Sequence, residues 1–429
     1  MYDVLVIGGG AAGFYAAIHV AEANLGIKIA ILERGKDVLT KVKVSGGGRC
    51  NVTHAEFDPK ELVTNYPRGE KELLGPFHNY ATGDTVAFFE KRGISLKIEE
   101  DGRMFPTTDS SQTIINCFTS EADRLGIKVF DRAVVHKIEP LGQGIDTQWK
   151  ITTPNSTFQA LKLVMATGSN PKIWDLLGQL GHTIVPPVPS LFTFNMSDAR
   201  IAGIPGVSTM AEVAILKKKK VSSPLESGKM EEEVLSSDGP LLITHWGMSG
   251  PAILKLSAWG ARLLEEYNYR FRIRVNWVPE YHSNGLLELF MDVKKVERKT
   301  IIRTKVLDIP KRLWVNIVKA AGISDVVTWP EVTKAQLLAL VNQLTNGIFQ
   351  VEGKSTFKEE FVTAGGVDLK EINFKTYESK ILPNLYFAGE IINVDAITGG
   401  YNFQNAWTGG YMAAQGITNA LQKREKRVK

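Results

Sequence analysis

Three observations predict an α/β chain whose nucleotide-binding domain is built from both of its ends. A short apolar run, Tyr2–Ile7, passes into Gly8-Gly9-Gly10-Ala11-Ala12-Gly13 and then a helix-like stretch to about Ala23. A second apolar run near the C-terminus ends in Ala388-Gly389-Glu390, followed by Thr398-Gly399-Gly400-Tyr401-Asn402 and another helix-like stretch, Phe403 to Leu421. Between them the pattern is strand-like to about residue 280 and helical beyond it. The expected organisation is a Rossmann-like domain from residues 1–190 and 352–429, interrupted by an inserted β-rich domain at 191–280 and a helical lobe at 281–351.

The first element reads as strand, tight turn, helix. In the G-x-G-x-x-G pattern Gly8 permits the turn, Gly10 lets the backbone approach a pyrophosphate, and Gly13 lets helix and strand pack closely, with Ala11 and Ala12 at the helix start. An anionic group would sit on the positive end of that helix. The next strand, Ile27–Leu32, ends in Glu33, about 20 residues past the glycines, where a carboxylate accepts ribose hydroxyls; Arg34 follows it. The segment Lys41-Val42-Lys43-Val44-Ser45-Gly46-Gly47-Gly48-Arg49-Cys50-Asn51 then offers backbone N–H groups at its glycines and further donors at Lys41, Ser45, Arg49 and Asn51, with Arg49 expected to pair with the pyrophosphate.

Val129–Ile138 reads as a strand that can pass backbone contacts to an adenine near Val135. Leu161–Ala166 is a strand running into Thr167-Gly168, and Asp175–Leu180 is helix-like. The insertion contains the strand candidates Ala211–Leu216 and Tyr269–Val278, and helical periodicity from Glu297 to Asn346. In Thr244-His245-Trp246-Gly247-Met248-Ser249-Gly250-Pro251, Ser249 and Pro251 predict a capped helix start running on to Leu264.

The C-terminal block resembles the flavin signature of two-dinucleotide-binding-domain flavoproteins, which implies that Glu390 holds the ribityl chain. N–H groups at Gly400, Tyr401, Asn402 and Phe403, with Thr398 before them, would then face the N1/C2=O edge of the flavin. The chain as a whole resembles the BaiN/RdsA family of NAD(P)/FAD-dependent oxidoreductases. The matching stretches are GGGAAG, KVKVSGGGRCNVTH, GRMFPTTDSS, ATGSNPK, THWGMSGPAIL, FVTAGGVDL and AGEIINVDAITGGYN. That resemblance implies FAD as cofactor and an inserted substrate-side region. The chain departs from the family pattern in three places: a shorter segment after Ala166-Thr167-Gly168, Ala396 in place of a glycine, and His54 in place of an asparagine.

Composition fits a globular enzyme. The 429 residues carry 51 basic and 46 acidic side chains, a net charge of +5. No apolar stretch approaches a membrane span and no signal precedes the first strand, so a cytoplasmic protein is expected. Cys50 and Cys117 lack the spacing of a redox pair, and the seven histidines form no metal-ligand pattern. The basic run Lys217–Lys220 reads as a solvated hairpin or excursion loop, the tail Lys423–Lys429 is a second basic cluster of a kind that can contact phosphates, and nucleic acid is disfavoured as a partner.

The expected activity is hydride exchange between FAD and a small organic substrate; only one G-x-G-x-x-G stands in strand-to-helix context, which counts against a second Rossmann domain for NAD(P)H and leaves a transient NAD(P)H co-substrate to be admitted by the insertion. His245 and Tyr401 are the candidate catalytic residues. Two competing readings are an oxidase of an amine or amino ketone that uses O2, and an RNA-binding or tRNA-modifying flavoprotein.

Overall fold

The computed structural model describes residues 1–24, 26–218, 231–356 and 362–428. It divides into two compact units, one made of Met1–Val188 with Lys358–Lys429 and the other of Pro189–Phe357.

The first unit is organised by a parallel sheet. Its strands are β1 (Tyr2–Ile7), β2 (Ile29–Leu32), β3 (Lys128–Phe130), β4 (Thr157–Met165) and β5 (Leu385–Phe387), in the spatial order β3-β2-β1-β4-β5. All four pairings are parallel. Val4 to Ile7 and Ile29 to Leu32 are buried, as expected of strands covered on both faces, which is why they read as unbroken apolar runs. Trp149 and its neighbours in Gln148–Thr152 pair antiparallel with the first half of β4, which leaves Leu163–Met165 to take β5.

Two helices cover this sheet. Helix α1 (Ala11–Ala23) is buried along nearly all its length, and α2 (Tyr401–Val428) packs against it. Small residues make the contact close: a Cβ on Gly410 would lie 3.0 Å from Ala12 O and 3.1 Å from Ala16 N. Beneath them Trp407, Tyr15, Phe89 and Phe118 form a buried aromatic core. The stretch FVTAGGVDL contributes Val362–Val367, which pairs with Ile184–Ser190; side chains on Gly365 and Gly366 would collide with Pro187 and Ile391.

The stretch read as one strand, Val129–Ile138, is broken. β3 stops at Phe130, and Arg132, at φ 50°, and Ala133 donate to the backbone carbonyls of Gly35 and Glu33 before a new strand starts at Lys137. Satisfying the loop after β2 takes precedence over continuing the ladder.

The second unit is built on a seven-stranded antiparallel sheet whose long members are Ser208–Lys218, Glu231–Ile243 and Phe271–Asn276. The strands of 191–280 and the helices Ser283–Val296, Lys311–Ala320 and Lys334–Thr345 share one hydrophobic core, including Phe194, Val213, Ile273, Trp314 and Leu340. Gly347–Val351 then joins the same sheet beside Phe271–Asn276. Ser249 is not the helix cap expected of it: Gly250, at φ 87°, holds that position, Ser249 Oγ accepts from Thr193, and Gly260 divides the helix after Trp259. Lys219, Lys220 and Glu226, and the side chains of the tail beyond Lys423, lie outside the described residues.

A Cβ at Gly13 would stand 2.0 Å from Gly8 O, whereas one at Gly10, which sits at φ −94°, would meet nothing within 4 Å. Gly13→Ala is therefore expected to lower stability by on the order of 3 kcal/mol in urea unfolding. Gly10→Ala leaves the apoprotein midpoint unchanged in the same measurement.

Candidate functional site

The carboxyl ends of the five parallel strands form a row, the place where open α/β sheets bind ligands. Hydrogen bonds lock that row: Ala166 N–H donates to Ile7 O (2.8 Å), Ala388 N–H to Met165 O (3.0 Å), Gly8 N–H to Leu32 O (2.8 Å) and Glu33 N–H to Phe130 O (2.8 Å). The glycine turn at Gly8, Glu33, Ala166-Thr167-Gly168 and Ala388-Gly389-Glu390 start at these ends, and the Lys41–Asn51 segment joins them through Lys41.

At β1 the chain turns through Gly8, at φ 112°, and α1 begins at Ala11 with Gly10 as a cap that offers no side chain. The N–H groups of the first turn have no partner within the helix, and the space in front of Gly10 is open. Ala12 and Gly13 are buried behind it. The Glu33 carboxylate is pinned beside this turn, Oε2 accepting from Gly9 N–H (2.9 Å) and Oε1 from Gly35 N–H (2.7 Å). Each oxygen keeps capacity to accept from a ribose hydroxyl. Arg34 is exposed. Val135 is buried, and its backbone N–H and C=O bond to no other described residue, which suits an adenine edge.

The segment Thr40–Gly48 is helical only in its first part. Ser45 leaves helical geometry, and Gly46, Gly47 and Gly48 follow with φ of 58°, 68° and 85°. A side chain at Gly46 would strike Phe105 at 2.8 Å. Three of the side chains expected to reach the cofactor are engaged within the protein instead. Arg49 pairs with Glu99 (2.5 Å) and Asp109 (3.6 Å) and lies over the Phe105 ring at 3.9 Å, so its charge is already neutralised. Ser45 Oγ donates to Val42 O (3.0 Å). Asn51 Oδ1 accepts from Gly400 N–H (2.9 Å) while its Nδ2 donates to Thr53 O (3.0 Å) and Met104 O (3.3 Å), the amide being oriented by these partners. The Gly400 N–H expected to face the flavin is thus taken by Asn51. Cys50 is fully buried and burial pushes its thiol up to about 12, which removes it from nucleophilic chemistry.

The ends of β4 and β5 bring the two termini together. Lys41 pairs with Glu390 (2.5 Å), a Cβ at Gly168 would lie 3.5 Å from Glu390 Oε2, and one at Gly389 would lie 3.0 Å from Ala12. Ala166 is buried, and Thr167 Oγ1 is buried with no partner among the described residues, a donor available to a bound group.

Past half-buried Thr398, Gly399 (φ 132°) and Gly400 (φ 98°) lead into α2, and a side chain on Gly400 would overlap Thr53. Asn402 closes the loop on itself, accepting from Ala396 N–H (3.0 Å) and donating to Ala396 O (3.1 Å), so it clamps the turn. Phe403 stacks on Trp407 at 5.5 Å, and Trp407 Nε1 donates to Val52 O (2.8 Å).

Tyr401 stacks on His54 at 4.6 Å, and its carbonyl accepts from Tyr66 Oη (2.6 Å). Burial raises its phenol well above the ordinary range, so it stays protonated. His54 Nδ1 lies 3.1 Å from Gly399 O, and burial lowers its imidazole from the usual value, favouring the neutral ring.

Gln404 was not anticipated as a structural residue. Thr53 and Thr85 both donate to its Oε1, at 2.6 and 3.1 Å, and its Nε2 donates to Thr408 Oγ1 (3.1 Å). The signal was present as an amide in a largely apolar helical stretch, though Asn402 and Asn405 flank it. Asn405, one residue on, is buried with neither end of its amide partnered among the described residues.

His245 belongs to the second unit. It lies exposed in the turn between Glu231–Ile243 and Gly247–Ser249, its ring 6.2 Å from that of Trp246. No group of three or more metal-ligating side chains occurs among the described residues, and no described helix is long and apolar enough to cross a membrane.

The pattern of the HI0933-like protein Rossmann domain matches residues 2–416. The chain is 28% identical to a ribosomal RNA dihydrouridine synthase of Haemophilus influenzae, over 96% of this chain and 98% of the relative. It is 27% identical to a 3-dehydro-bile acid delta(4,6)-reductase of Clostridium scindens, over 97% and 98%. Among solved structures, a 3-ketosteroid-delta4-(5alpha)-dehydrogenase from Rhodococcus jostii is similar with a TM-score of 0.49 at 13% identity, over 98% of this chain and 96% of that one. The family pattern and the strand-end motifs coincide, and this chain belongs to the HI0933-like family, the BaiN/RdsA group of FAD-dependent oxidoreductases.

Proposed function

We propose that this FAD-dependent oxidoreductase reduces a carbon–carbon double bond conjugated to a carbonyl, with NAD(P)H as the source of electrons. The observation that carries this reading is the convergence of the glycine turn, Glu33, Glu390 and Lys41 at the strand ends, with a phenol kept protonated at Tyr401 on the helix that starts there. The names of the two relatives supply the substrate class. Making a dihydrouridine removes the uracil double bond conjugated to its carbonyl, and a delta(4,6)-reductase of a 3-dehydro bile acid removes double bonds conjugated to a ketone.

FAD held here and reduced by NAD(P)H would supply the hydride. The open first turn of α1 receives the diphosphate on its N–H groups, and Glu33 accepts from the adenosine ribose. Glu390, its orientation fixed by Lys41, accepts from the ribityl hydroxyls, and Thr167 Oγ1 has a free proton to donate beside it. Hydride addition to the carbon β to the carbonyl leaves an enolate that needs one proton at the α carbon. Tyr401, protonated across the working pH range, is the donor we assign to this step, and stacking on His54 holds its ring. The two thiols take no part: Cys50 and Cys117 are buried and pushed up to about 12 and about 11.

Purified without added cofactor, the protein is expected to carry FAD whose visible band is bleached by NADH or NADPH under anaerobic conditions and restored by a cyclic enone. Failure of either nucleotide to bleach it, with bleaching by an amine instead, would establish the oxidase reading. Gly10→Val is expected to abolish FAD retention while leaving apoprotein unfolding unchanged. Tyr401→Phe keeps the stack on His54 and the FAD content but loses at least about tenfold in kcat, in line with removal of a general acid; an unchanged kcat would remove Tyr401 from the mechanism.

A further inference from the structure

The aromatic core beneath α1 and α2 holds more chemistry than packing requires. From Phe403, whose ring lies within 11° of parallel to Trp407, the series continues through Trp407, Tyr15, Tyr80 and Tyr411. From Trp407 onward, successive centroids are 5.0, 5.9 and 4.2 Å apart. Trp407 and Tyr15 are fully buried and Tyr80 is 5% exposed, whereas Tyr411 is only half-buried. At its inner end Trp407 Nε1 donates to Val52 O (2.8 Å), next to Thr53, which a side chain on Gly400 would overlap. The rings therefore run in contact from the loop that starts α2 to solvent.

Apolar packing alone is met by phenylalanine, as Phe88, Phe89 and Phe118 show around the same rings. Two phenols stand among them instead. Tyr80 Oη donates to Asp84 O (3.2 Å) and accepts from Tyr15 Oη, so both hydroxyls are satisfied inside the core. Burial raises both phenols above the ordinary range and keeps them protonated.

The surroundings are also close to neutral. The His19 ring lies 4.7 Å from Tyr15, 5.9 Å from Tyr80 and 5.1 Å from Tyr411, and burial lowers its imidazole to about 3. Arg92, 3.7 Å above the Phe88 ring, is paired with Glu22 (2.7 Å) and Glu121 (3.2 Å). Neither group opposes a positive charge passing through the rings. Indole and phenol are the ring side chains that release a single electron most readily, and contact between rings lets the resulting hole move from one to the next.

We propose that Trp407, Tyr15, Tyr80 and Tyr411 conduct single electrons from the protein surface to the flavin site, a light-driven activity separate from hydride transfer to substrate. Trp407 gives one electron to the light-excited isoalloxazine and is refilled in turn from Tyr15, Tyr80 and Tyr411. The two buried phenols keep their protons throughout. Tyr411 ends one electron short, and its phenolic proton goes to water. The proposal rests on the flavin placement in the reading above, at the loop before Phe403, and is independent of the substrate.

The test is a blue-light flash on the FAD-loaded protein, without oxygen or nicotinamide, followed by transient absorption and by EPR of samples frozen under illumination. The expected result is a long-lived tyrosyl radical that is lost in Tyr411→Phe, with FAD content unchanged. Tyr15→Phe keeps the ring packing and stops the hole at Trp407, so a short-lived tryptophan radical replaces the tyrosyl signal. Trp407→Phe removes both radicals and lengthens the flavin fluorescence lifetime. Tyr2→Phe, outside the series, leaves the tyrosyl radical intact. FAD content is measured on every variant, and Tyr15→Phe decides the matter where Trp407→Phe fails to hold FAD. Absence of a tyrosyl radical in the unsubstituted protein, or its survival in Tyr411→Phe or Tyr15→Phe, would overturn the proposal. Bleaching by NAD(P)H is recorded on the same samples. Intact bleaching without a radical refutes the conduit alone, whereas failed bleaching refutes the reductase reading whatever the flash produces.

Discussion

The first unit depends on a place where no side chain can stand. At the crossing of β1 and α1, a Cβ on Gly13 would lie 2.0 Å from Gly8 O, and one on Gly8 2.3 Å from Ala166 O. With both absent, the helix rests on the strand with its N-terminus beside the strand ends, and β4 closes up against β1. The unpaired N–H groups of the first turn are thereby held at the site before any ligand arrives, so binding there costs little reorganisation. The same economy of side chains recurs where α2 crosses α1 at Gly410.

Around that crossing, charge and hydrogen bonding are settled largely within the protein. Arg68 pairs with the fully buried Asp395 next to the 396–402 loop, Gln404 gathers Thr53, Thr85 and Thr408, and Asn51 ties Gly400 to the β-strand segment at Thr53. These contacts fix the start of α2 from several directions. The polar surface left for a ligand is mostly backbone, with Glu33, Glu390 and Lys41 as its charged members. Such a surface suits a large cofactor held by many directional contacts better than a small ion held by charge alone.

The sequence made the cofactor frame readable because its signals are local. A β-branched run followed by closely spaced glycines and a helical period needs no knowledge of distant residues, and the parallel sheet follows from short apolar strands buried on both faces. The fate of each polar side chain was not readable for the opposite reason. Arg49 and Asn51 look like ligand donors in their own segment, but their partners are Glu99 and Gly400, and only the fold shows that those reach the same groups first. The side-chain amide of Asn402 likewise has a role its own segment does not announce, closing on Ala396. The break after Phe130 depends on carbonyls of the loop behind β2, and the helix Ser283–Val296 precedes the stretch whose period marked the helical region.

The order of the strands also has a consequence for how the protein is made. Leu163–Met165 of β4 gains its second neighbour only when Leu385–Phe387 arrives, and α2, which packs on α1, comes later still in the chain. While the ribosome is still translating the contiguous stretch from Pro189 to Phe357, the nascent N-terminal portion has an unpaired strand edge and an uncovered helix. Completion of that sheet therefore waits for the chain beyond residue 385. Chains that stop short of residue 385 expose that edge with nothing to close it, which makes premature termination a source of aggregation as well as of lost activity.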